Sequence, residues 1–204
     1  MTRTQGVLLD ILTPVRDIFL SRLLEEMADA LERGFECDTD VVRRDERGDL
    51  YRSGPLHLPE RYDLATDAGR ERATFDVEDS LVVRFDPMNL TLSNGAPVTI
   101  LPFQWNAVVV AVDLEEGKPD WGGVRRWYLE NFQSRFDEDT PEFHGAIHRL
   151  QGPEGGPRSW RMTLDLGTAS VDCLADLLEA FAVMGAQRVS LSGAEEETER
   201  VDAT

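Results

Sequence analysis

The chain has 204 residues, a size that fits one large domain with a real core. Its 41% hydrophobic content excludes a disordered chain. Its 39 acidic against 21 basic residues, a net charge of -18, disfavour direct contact with nucleic acid or anionic membrane and favour a basic protein partner or cations.

In chain order, the first element is a helix over 14–33. Val15, Ile18, Phe19, Leu23, Met27 and Leu31 recur at helical spacing. Thr13 serves as N-cap, Pro14 fits the first turn and Gly34 fits the stop. Asp10 interrupts the apolar patch before it, so no signal peptide is expected. Residues 35–51 read as a hairpin with a charged tip at Gly48. On the strand that enters it, Glu36, Asp38 and Asp40 alternate, which predicts three carboxylates on one face.

Residues 53–72 hold two prolines and two glycines with no clear period and read as a long loop. Strands follow at 81–85, 90–93 and 98–101, the last two joined by the hairpin signal Asn94-Gly95, with Pro97 pointing to an edge. Ala107 to Leu114, with four valines, reads as a strand buried on both faces. A helix capped by Asp120 is expected over 121–136, its stripe formed by Trp121, Val124, Tyr128, Phe132 and Phe136. Trp127 falls off that stripe, so it is either covered by the N-terminal half of the chain or, with Arg126, an exposed anchor pair, while Arg125 and Arg135 fall inside or beside the stripe.

Residues 144–150 read as a strand, and Gly152 to Pro157 as a hairpin loop. Trp160, Met162, Leu164 and Leu166 alternate with polar residues on a half-buried strand. Ser170 caps a helix striped by Val171, Leu174, Leu178 and Phe181, and Gly185 ends it. Val189 and Leu191 make a last strand, and 194–204 is an acidic flexible tail.

The expected fold class is therefore α+β: one domain over 1–193, an antiparallel sheet with helices on one face. Residues 106–193 run β-α-β-β-α-β, the ferredoxin-like order, and 1–105 add a helix and β-hairpins that extend the sheet.

No catalytic signature rises above background. His144 and His148 form an H-x-x-x-H pair, but four residues of strand separate them by about 13 Å, too far to share one ion. The GPEGGP loop lacks Walker spacing and its lysine, and G-x-S-x-G is absent. Cys37 and Cys173 match no metal or redox spacing and read as reduced thiols in a cytoplasmic protein. No metal, cofactor or membrane span is expected; nothing approaches the roughly 18 apolar residues a span needs.

The leading reading is a non-catalytic acidic protein-binding module, an immunity or inhibitor-type protein that neutralises a basic toxin or nuclease. Its docking residues are Glu36, Asp38, Asp40, Arg126, Trp127 and the acidic loop cluster Asp137, Glu138, Asp139 and Glu142. One alternative is a small-molecule-binding or enzymatic ferredoxin-like domain, with His144, His148 and Arg161 as pocket groups. Another is a nucleic-acid mimic. Oligomeric state is open on the sequence.

Overall fold

A computed structural model describes residues 3–66, 72–74, 84–133 and 145–193. Its elements are α1 (Arg3–Glu32), β1 (Glu36–Val42), β2 (Arg52–Ser53), β3 (Leu58–Pro59), β4 (Arg61–Thr66), β5 (Arg72–Thr74), β6 (Met88–Thr91), β7 (Pro97–Ile100), β8 (Val108–Asp113), α2 (Gly122–Phe132), β9 (Arg149–Gly155), β10 (Ser159–Asp165), α3 (Val171–Val183) and β11 (Arg188–Ser192). The fold is mixed α+β with mostly antiparallel sheets.

The main sheet has six strands in the order β6-β7-β11-β8-β10-β9. The valine-rich β8 lies between β11 and β10, antiparallel to both. Its four valines, Val108, Val109, Val110 and Val112, are all buried, so both faces are covered, at about 1.5 kcal/mol or more for each valine. β6 and β7 join through Asn94-Gly95, where Gly95 takes the positive φ that the turn demands. Pro97 does not mark an edge, because β7 sits between β6 and β11. Pro97 opens the strand, ahead of the residues that pair with β11, so its missing N–H leaves that ladder intact.

A second sheet, β1-β4-β5, departs from the expectation that the first half only extends the main sheet. β6 and β7 do extend it. β1, β4 and β5 form a separate three-stranded layer, and β4 lies within the stretch expected to be a loop.

α1 starts at Arg3, ten residues before the expected cap, so Thr13 is not an N-cap and Pro14 is interior. Leu8, Leu12, Val15, Phe19, Leu23 and Ala30 form one buried stripe, which carries the helix through Pro14. Pro14 faces outward, on the side of the helix open to solvent. Ile18 and Leu31, expected in the stripe, are exposed. The helix ends as expected: Phe35 N–H reaches Ala30 O and Gly34 N–H reaches Leu31 O around a left-handed Gly34.

α3 is buried more widely than its four-residue stripe, because α1 and α2 both pack against it. Ser170 occupies its N-cap position with no side-chain cap bond. Arg16 ties α1 to the loop before α3 through the carbonyls of Ala169 at 2.7 Å and Thr168 at 3.0 Å.

Residues 145–148 precede β9 rather than forming a strand, and β9 runs on through Gly155, inside the expected hairpin loop. Of the sequence expectations, His144, the 137–142 cluster, Arg135, Phe136, most of 81–85 and the 194–204 tail lie outside the described residues. Among the described residues no helix is long and apolar enough to cross a membrane.

Candidate functional site

Two places gather chemistry. The first is a groove between α2 and α3 of about 630 Å³. Trp127, Ala180 and Met184 line its apolar part, and Val183 at its lip is 82% exposed. Four carboxylates, Asp120, Glu130, Asp176 and Glu179, line it with one cation, Arg126. Ser93, in the β6–β7 turn, donates to Glu179 Oε1 at 2.8 Å and helps to fix its position. Partial burial first, then the charges of Asp172 and Glu130, raises the Asp176 carboxyl above the usual aspartate range. The groove thus carries negative charge that its own residues do not fully offset.

Arg126 is exposed in this groove, as expected, but Trp127 is not an exposed anchor. Its indole is 4% exposed and its N–H donates to Cys173 O at 2.7 Å. The reason is α3, which covers the helix face beside the expected stripe and so makes it apolar. Arg125, expected inside the stripe, is exposed.

The second place is a buried polar cluster where the three-stranded layer meets β9 and β10. Its members are Asp40 on β1, Asp63 on β4, Asp165 at the end of β10, Thr168 beyond it, and His148 just before β9. A register shift between Asp38 and Val41 inserts a bulge, and Asp40 there has φ 54°. The bulge breaks the strand alternation. Glu36 and Asp38 stay exposed, while the Asp40 side chain turns into the cluster, so the three carboxylates do not share a face.

His148 Nε2 lies 2.9 Å from Asp40 Oδ1 and 3.7 Å from Asp63 Oδ1, and Nδ1 lies 3.8 Å from Asp165 Oδ2. The Thr168 hydroxyl sits 2.8 Å from both Asp40 oxygens and accepts the Ala146 N–H. Asp63 Oδ1 accepts the Asp40 N–H at 3.0 Å. Arg61 donates to the backbone carbonyls of Asp40 and Phe132. Tyr128 donates to Pro59 O at 2.6 Å, with His148 O at 3.1 Å.

The ring is only 3% exposed. Burial disfavours its charged form, but the Asp40 hydrogen bond and the charges of Asp165, Asp63 and Asp40 outweigh that, so its pKa is raised. Burial is also the main cause that raises Asp63, against the lowering effects of His148 and the Asp40 N–H. Two glycines make room for this arrangement. A Cβ on Gly167 would lie 2.3 Å from His148 Cδ2, and one on Gly145 would lie 2.0 Å from Thr168 O.

Asp40, Asp63 and His148 each offer one potential ligand atom, and these lie within 4.8 Å of one another. The sequence suggests a metal for His144 with His148 and a divalent cation for Glu36, Asp38 and Asp40 or for the 137–142 cluster, neither with EF-hand spacing; it does not point to Asp63, Asp165 or Thr168. Asp63 was hidden by the loop reading of 53–72; its one signal was a lone carboxylate in the run Tyr62-Asp63-Leu64-Ala65. Arg161 is exposed on β10, opposite Ala111 and Glu154.

No family model matches this chain, and no curated protein or solved structure is significantly similar to it.

Proposed function

We propose that this protein is a non-catalytic acidic binding module that docks a basic segment of another protein in the α2–α3 groove. The observation that carries the reading is the groove itself: an apolar floor with an exposed valine, lined by four carboxylates and one arginine. A basic amphipathic segment would cover the exposed apolar atoms and offset the charge that crowds Asp176. The net charge of -18 would speed encounter with such a partner. An immunity or inhibitor-type protein that neutralises a basic toxin or nuclease in the cytoplasm is its concrete form. The strand order β11-β8-β10-β9, with α2 and α3 as the connections, supports reading 106–193 as ferredoxin-like.

Affinity capture on the tagged full chain tests this, with three proteins side by side: wild type, the groove variant E130K/E179K, and the β1 variant E36K/D38K. The expected result is a basic protein held by wild type and E36K/D38K at low salt, released at high salt, and not held by E130K/E179K. Retention that ignores the groove reversal, or no basic protein retained at all, refutes the proposal.

A further inference from the structure

We propose that Asp40, Asp63 and His148 bind one divalent transition-metal ion of the Zn²⁺ or Mn²⁺ class. The inference is independent of the docking groove. Ligand atoms about 2.1 Å from a common ion are about 3.0 to 3.4 Å apart when they are neighbours in octahedral or tetrahedral coordination. Nε2 of His148 already lies 2.9 Å from Asp40 Oδ1 and 3.7 Å from Asp63 Oδ1, and one ligand atom of each of the three lies within 4.8 Å of the others, so side-chain adjustments complete the set.

Charge points the same way. Two largely buried carboxylates, Asp40 and Asp63, face a single imidazole. The Arg61 guanidinium beside Asp40 donates to the backbone carbonyls of Asp40 and Phe132. Buried charges need partners, and a dication supplies what one imidazolium does not.

The surroundings match the outer ring of a metal site. Asp165 faces the nitrogen of His148 that would point away from the ion, and the Thr168 hydroxyl steadies Asp40. The Thr168 bonds aim the Asp40 carboxylate, and the Asp165 charge 3.8 Å from Nδ1 acts on the ring electrostatically. One imidazole with two carboxylates suits Zn²⁺ or Mn²⁺, whereas Ca²⁺ takes an all-oxygen set of about six to eight ligands. The ligands come from β1, β4 and the segment before β9, so the ion would pin the three-stranded layer to the main sheet.

The test uses the full chain, stripped with chelator and then dialysed against buffered Zn²⁺ or Mn²⁺. Elemental analysis should find about one ion per chain. The melting temperature should rise by about 5 to 10 °C at a free-ion concentration about 100 times the Kd. D63N and H148Q should lose the ion, while H57Q keeps it. If those ligand variants fail to fold, Mn²⁺ added to the wild type decides: it should broaden the ring proton signals of His148 before those of His57. A stripped wild type that takes up neither ion, an ion that persists in H148Q, or broadening centred on another histidine overturns the proposal.

Discussion

Trp127→Phe tests the packing that separates the observed α2 from the one expected. The side chain is 4% exposed and spends its N–H on Cys173 O at 2.7 Å. That carbonyl lies in the first turn of α3 and keeps its place in the helix ladder, so the loss is one net hydrogen bond, about 1 kcal/mol. The missing ring edge leaves a gap larger than a methyl group, which adds roughly 1 to 2 kcal/mol. Together these predict a destabilisation of about 2 to 3 kcal/mol. For a chain of this size that lowers the melting temperature by about 4 to 12 °C. Urea unfolding followed by circular dichroism reads it directly, with an unchanged slope showing that only stability moved. A loss below about 0.5 kcal/mol, the value typical of an exposed side chain, would refute the burial and restore Trp127 as a surface anchor.

Three further outcomes follow from particular contacts. Gly167→Ala places a methyl 2.3 Å from the His148 ring at a φ of 50°, and should cost about 2 to 4 kcal/mol in the same unfolding assay; a cost under about 1 kcal/mol would mean the ring is not held there. Cys173 is buried, and its thiol is pushed well above the usual range by burial, so a native-state thiol titration should count Cys37 first and Cys173 only after denaturation; equal rates would contradict the packing of α3. Asp176 has a raised pKa, so its contribution to the stability of the free protein is present at low pH and lost as pH rises through its folded value. A basic partner favours the charged form, so partner affinity should strengthen as pH rises through the range just above the ordinary aspartate value. Asp176→Asn should flatten that profile, and an affinity that weakens over the same rise would count against the groove.

The parts legible in the sequence are those with a local period. The valines of β8, the alternation of β10, the Asn94-Gly95 turn and the α3 stripe each announce themselves within about ten residues. What escaped depends on distant partners. Asp10 and Pro14 look like interruptions until the burial of Leu8 and Leu12 shows them to lie on the open side of one long helix. Trp127 looks misplaced until α3 gives it a partner. Asp40 obeys the two-residue alternation on paper, but one extra residue in β1 reverses its side and carries it to His148, 108 positions away. Asp63 lies on a strand held by pairing with β1 and β5 rather than by any period of its own.

On this reading the α2–α3 groove carries partner binding. Its most direct test is calorimetric titration of the basic partner recovered by capture into wild type, D176K/E179K and E36K/D38K at low salt. The account predicts that D176K/E179K binds at least about tenfold more weakly, while E36K/D38K stays within about threefold of wild type. Equal affinity for wild type and D176K/E179K, or a loss confined to E36K/D38K, would contradict it.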